Sequence, residues 1–164
     1  MFLPRAARRF GDAVSGCVLL AILGVACGLS AQSEANSGTI LAARAYQSGV
    51  TAAQNGDLTA ACSALEQAVK LSPGDAEFQN ALAQVMLRQG NIDGAISHFR
   101  TATSLAPDAA LPHAELGKAL AAKGLFDDAV VELGEAVKLA PQQPEAHRQL
   151  ALVLSSQGKI EDAI

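Results

Sequence analysis

The chain of 164 residues is half hydrophobic, has no Trp and only 5 Phe and 1 Tyr, and carries a formal net charge of −4. That length fits one ordinary domain, and a core so poor in rings must be built from Ala, Leu, Val and Ile, which suits closely packed helices better than a β-sandwich. Setting aside Arg5, Arg8, Arg9 and Asp12 near the N-terminus leaves 9 basic against 15 acidic residues, which excludes a nucleic-acid binder, because phosphate contacts need a basic surface.

Residues 1–31 read as a leader. Three arginines precede an uncharged run from Ala13 to Ala31 with the apolar centre CVLLAILGVAC, and small residues follow in GLSAQS. A positive start, an apolar middle and a small-residue end are the parts of a secretory signal peptide, with cleavage expected after Ala31. Two alternatives share its topology: an uncleaved membrane anchor, or a lipoprotein signal, since LGVAC loosely resembles a bacterial lipobox with Cys27 as the lipidated residue. In each, the basic end stays in the cytoplasm and the remainder crosses the membrane, so an exported or membrane-anchored chain facing away from the cytoplasm is expected. Residues 32–41, QSEANSGTIL, read as a short linker.

From residue 42 onward one line recurs. QNGDLTAACSALEQAVKLSP is followed 34 residues later by RQGNIDGAISHFRTATSLAP, and after another 34 by AKGLFDDAVVELGEAVKLAP. Pro73, Pro107 and Pro141 keep this step, as do Gly56, Gly90, Gly124 and Gly158, and also Ala61, Ala95, Ala129 and Ala163. Leu82, Leu116 and Leu150 share it, and so do Leu65, Phe99 and Leu133. The units are 42–75, 76–109, 110–143 and an incomplete 144–164, together the array 42–164.

Each unit predicts two helices. In PHAELGKALAAKG, Leu116 and Leu120 share one face with the small Gly117 and Ala121 beside them, and Gly124 stops the helix, since a left-handed cap is open to glycine. The second helix opens on Asp127 and Asp128, which suit the positive end of a helix dipole, and closes on Lys138 before Pro141. Small residues at Gly49, Ala83, Gly117 and Ala151 on first helices, and the repeated alanines on second helices, predict close backbone approach. Cys62 occupies the site of Ile96 and Val130, and reads as a small buried hydrophobe that has no partner for an internal disulfide. The fourth unit breaks off about one turn into its second helix, so more repeats or another domain are expected to follow.

No catalytic motif is present, neither G-x-S-x-G, H-E-x-x-H, Walker loop, C-x-x-C nor G-x-G-x-x-G. Asp127–Asp128 and Glu161–Asp162 sit at helix starts, where they serve the dipole rather than acid–base chemistry. His113 and His147 lie one repeat apart, too far for a shared metal, and read as packing or surface residues; His98 has no assigned role. Neither enzyme, cofactor nor metal is expected.

The array resembles the tetratricopeptide repeat, whose signature is W-x2-L-G-x2-Y, then A-x3-F, then P in 34 residues. The third unit carries it as His113-x2-Leu116-Gly117-x2-Leu120, Ala129-x3-Leu133 and Pro141. The second carries Leu82-Ala83-x2-Met86, Ala95-x3-Phe99 and Pro107. The resemblance implies an all-α right-handed solenoid whose first helices line a concave groove for a peptide or partner protein. Carried over unit by unit, the groove residues are Tyr46 and Val50, then Asn80, Gln84 and Arg88, then Lys118, then Arg148, a polar and partly basic set. The carboxylate clamp of chaperone-binding members is missing, because its places hold Tyr46, Val50, Ala81, Leu111 and Glu115. What the resemblance implies is a non-catalytic interaction scaffold. The alternatives are the docking part of a larger enzyme or sensor, and a structural spacer.

Overall fold

The computed structural model describes residues 37–158. The leader, Cys27 and the last six residues lie outside the described residues. The chain divides into units 1–40 and 41–164, and the second holds the repeats. Among the described residues there are only helices: α1 through residues 37–54, α2 Leu58–Leu71, α3 Ala76–Arg88, α4 Ile92–Leu105, α5 Ala110–Ala122, α6 Phe126–Leu139 and α7 Pro144–Ser156. None is long and apolar enough to cross a membrane.

One expectation is corrected at the start of the array. Residues 37–41, read as linker, are already helical. No proline interrupts SGTILAARA, and once a helix is nucleated each added residue gains a hydrogen bond at little extra cost.

The turn inside each repeat is set by the backbone. Gly56, Gly90 and Gly124 have φ of 84°, 82° and 83°, and a Cβ there would meet open space, so conformation rather than crowding selects glycine. Around Gly90, its N–H donates to Leu87 O at 3.0 Å and the Asn91 N–H donates to Met86 O at 2.9 Å; the same pair recurs at Gly124 and Leu125. This paired closure satisfies carbonyls left open at the helix end. The next residue then caps the following helix. Asp57 accepts from the Ala60 N–H, and Asn91 from the Gly94 N–H. Leu125 cannot do so, and α6 relies on Asp127 and Asp128 in its first turn. At the other turn Ser72, Ala106 and Ala140 leave the helical region, with φ near −138°, −135° and −135° and ψ near 76°, 70° and 70°, in keeping with the bias against helical backbone before a proline.

Small residues permit the helix pairs to close. A Cβ on Gly49 would stand 2.6 Å from Leu65 Cγ, and one on Gly117 2.6 Å from Leu133 Cγ. Ala83, Ala95 and Phe99 are fully enclosed in the same way. The main core joins Leu116, Leu120 and Leu133 to Phe99 across two repeats. Cys62 differs from its expected place: it is half-buried, and its Sγ lies 3.5 Å from Glu66 Oε1. Burial, then the Glu66 charge, pushes its thiol up.

Candidate functional site

The first helices form the inner layer. α3 touches α5 and α5 touches α7, whereas α2, α4 and α6 make no contact with one another. A layer whose members meet while the outer ones spread apart is the inside of a curve.

Between α1 and α3 this inner face opens into a cleft of about 170 Å³. Its floor is Leu65 of α2; Val50 and Ala53 form one wall, and Gln84 and Arg88 the other. Of the residues carried over from the repeat pattern, Val50, Gln84 and Arg88 are therefore brought together. Arg88 donates from Nη1 to the Ala53 carbonyl at 3.0 Å, which bridges the cleft at one end.

The other sequence-derived positions are occupied in different ways. Tyr46 stacks on Phe78 with centroids 4.8 Å apart, and its hydroxyl donates to Glu77 Oε1 at 2.7 Å. Burial, then Glu77, pushes the phenol up to about 12. Tyr46 thus ties α1 to α3. Asn80 is only 7% exposed, and its Oδ1 is enclosed with no donor. Lys118 Nζ pairs with Glu115 at 2.9 Å. Arg148 grips Glu145 with Nε at 3.0 Å and Nη2 at 2.7 Å, and Gln149 adds a third donor to that carboxylate. The Arg148 and then Gln149 hydrogen bonds hold Glu145 down at about 2, and the Lys118 charge contributes too.

The cations of this polar and partly basic set do not stand alone. Each of Lys118 and Arg148 is matched by an acid three residues earlier on its own helix, so α5 and α7 present a charge-balanced belt. Among the described residues no group of three His, Cys, Asp or Glu side chains is placed to hold a metal.

Two rows of polar ties escaped the sequence reading. In the first, Gln79 Nε2, His113 Nε2 and His147 Nε2 reach the carbonyls of Pro73, Pro107 and Pro141 at 3.1, 3.1 and 2.9 Å. Each fastens a first helix to the turn before it. The same residues reach forward: Gln79 Oε1 accepts from His98 Nδ1 at 2.7 Å, and His113 Nδ1 meets Glu132 Oε2 at 2.8 Å. Burial pushes His98 below its ordinary value, partly offset by the Glu66 charge. In the second row, Gln89 Nε2 donates to Leu58 O at 2.9 Å, Lys123 pairs with Asp93 at 2.5 Å, and Gln157 donates to Asp127 at 2.8 Å. Each links the end of a first helix to the start of the preceding second helix. The identical spacing was present in the sequence, but Gln, His and Lys share no letter.

With this geometry in hand, comparison with known proteins assigns the class. The tetratricopeptide repeat profile matches residues 52–114 and 87–153, which together exceed half of the chain, and the chain belongs to the tetratricopeptide repeat family. The fold is likewise shared with solved structures. A crystal structure of MamA aligns with a TM-score of 0.71 at 20% identity, covering 74% of this chain and 71% of that one. The first TPR of Spaghetti (RPAP3), bound to the HSP90 peptide SRMEEVD, aligns at 0.71 and 17%, covering 73% and 95%. A Thermobaculum terrenum O-GlcNAc transferase mutant aligns at 0.67 and 26%, covering 71% of this chain and 22% of that one. No curated protein sequence matches this chain.

Proposed function

We propose that the protein is a non-catalytic interaction scaffold that holds a peptide or an extended segment of a partner protein along the inner face of its first helices. The observation that carries this reading is the cleft between α1 and α3, concave, floored by Leu65 and walled by Val50 and Gln84. Stacked repeats offer extended concave surfaces of this kind, and a repeat domain of the same fold is bound to a peptide in one solved structure. We place the array on the non-cytoplasmic side of a membrane, on the strength of the Arg-rich start and the apolar run CVLLAILGVAC.

The test is site-specific photo-crosslinking in cells that make the full chain. A cross-linker at Gln84 is expected to give partner adducts. One at Val131, 68% exposed on a second helix, is expected to give none. Adducts from Val131 alone would move the site to the outer surface. Cell fractionation tests the location separately: a soluble cytoplasmic product that retains Met1 to Ala31 would end the export reading.

A second reading has one observation in its favour. The aligned O-GlcNAc transferase is matched over only 22% of its length, so repeats of this fold occur there beside a far larger remainder. In this reading the array is the docking part of a larger enzyme or sensor, with its chemistry beyond residue 164.

A further inference from the structure

We infer that His113 is a pH-operated tie. As imidazolium it fastens α5 both to α6 and to the turn before it; as neutral imidazole it releases that turn. None of its parts lines the α1–α3 cleft, so the device stands apart from the groove reading.

The two contacts of the ring carry the argument. Nδ1 lies 2.8 Å from Glu132 Oε2, and Nε2 lies 3.1 Å from the Pro107 carbonyl oxygen. Both partners accept and neither can donate, since an ionised carboxylate and a carbonyl carry no proton. A neutral imidazole has a single N–H, so it satisfies one partner and turns a bare nitrogen toward the other; the imidazolium satisfies both. When the ring gives up a proton, the nitrogen against the carboxylate keeps its own, because a charge-assisted hydrogen bond is roughly twice as strong as a neutral one. The Pro107 carbonyl then loses its donor, and the start of α5 loses its hold on residues 106–109.

The neighbouring units show why this tie responds and theirs do not. Gln79 donates an amide N–H to Pro73 and accepts from His98 Nδ1; the amide keeps its protons throughout the range in which imidazole titrates, about pH 5 to 8. His147 meets the Pro141 carbonyl alone among the described residues, so a neutral ring with its proton on Nε2 serves there. His113 is the ring set between two acceptors. The charged groups that face it are Glu132 and Glu135, both on α6. Glu132 is its ion-pair partner; Glu135, held below its ordinary value by the Lys138 hydrogen bond and charge, also feels the His113 charge. The turn supplies only the Pro107 carbonyl, and among the described residues α3, α4 and α7 give the ring neither hydrogen bond nor ion pair.

NMR of the folded full chain reads the tie at the carbonyl carbons of Pro107 and Pro73 as pH is raised across the imidazole range. The Pro107 shift is expected to follow the protonation of the His113 ring, while the Pro73 shift stays flat. The Ala109 N–H donates to Ala106 O at 3.1 Å within the released turn. Its exchange protection, corrected for the intrinsic pH dependence of exchange, is expected to fall at least about threefold, the size of one modest hydrogen bond. His113→Gln, whose amide donates at every pH, is expected to abolish both responses. Glu132→Gln reaches the same end from the other side and serves should His113→Gln fail to fold. Its amide can donate to a bare Nδ1, so the neutral ring carries its proton on Nε2 and keeps Pro107. A Pro107 shift that stays flat while the ring titrates overturns the inference, as does a response that persists in both variants. Equal movement at Pro73 reports a change of the whole fold and also overturns it. Unmoved Ala109 protection beside a responding carbonyl overturns the release of the turn.

Discussion

Gly117 lies so close to Leu133 that a Cβ on the glycine would stand 2.6 Å from the leucine Cγ and 3.2 Å from the Ala129 carbonyl oxygen. The side chain could give way, but the carbonyl belongs to the backbone of α6. Replacing Gly117 with Val is expected to overpack this crossing and to cost about 1–3 kcal/mol, read as a lower urea midpoint. Removing bulk on the other side with Leu133→Ala should make the double mutant less destabilised than the sum of the single ones. Strict additivity would mean that the two helices do not meet as described.

The histidine at position 113 holds two acceptors, the Glu132 carboxylate and the Pro107 carbonyl. His113→Ala is expected to lower stability by about 1–2 kcal/mol, since the part-buried Glu132 carboxylate and the Pro107 carbonyl lose the ring that joins them. His113→Gln should restore much of this loss, because Gln79 reaches Pro73 from the equivalent place. Equal losses in both variants would show that imidazole packing, rather than the hydrogen bonds, is what matters.

Leu125 precedes α6 where Asp57 and Asn91 cap α2 and α4 with their side chains. It is 39% exposed, so little burial is given up when it is replaced. Leu125→Asn is expected to stabilise the protein by about 0.5–1 kcal/mol through a new cap. Thermal unfolding reads this as a higher midpoint, and an unchanged or lower midpoint counts against the capping argument.

Tyr46 is the sole tyrosine of the chain, which makes its titration directly visible as phenolate absorbance. In the folded protein the midpoint is expected near 12, against the ordinary value of 10.0. Because the folded value is the higher one, the stabilisation is fully present below pH 10 and disappears as pH rises from there through about 12. The urea-unfolded chain should titrate near 10. Glu77→Gln should lower the folded midpoint, since Glu77 is the second cause after burial.

The parts of the fold that could be read from the sequence were those with one chemical solution. A positive φ at Gly90 and Gly124 favours glycine, a helix exit favours Pro107 and Pro141, and a 0%-exposed crossing leaves room only for Ala95 or Ala129. These residues recur as letters because no other side chain serves as well. The polar ties have several solutions. A proline carbonyl accepts equally from the amide of Gln79 or the imidazole of His113, so the letter varies while the contact persists. The pairing of the groove cations is a different case: Glu115 and Glu145 stand at helix-neighbour spacing from Lys118 and Arg148, a spacing already visible in the sequence. The cleft itself depends on how far apart α1 and α3 sit above Leu65, a distance that no single helix records.

Because α2, α4 and α6 do not touch one another and α3 and α7 meet only α5 among the first helices α3, α5 and α7, the contacts among these described helices span a short stretch of chain. Lengthening such an array leaves the mean loop to be closed unchanged, so its folding rate should depend on the strongest local seam rather than on the number of units. Protection from hydrogen exchange is then expected to fall in steps from the α3–α6 centre, where Phe99 and Leu116 share one cluster, toward either side. The units would open one after another instead of together. A ligand bridging α1 and α3 would therefore slow exchange mainly in the first two units, reporting its own position along the solenoid.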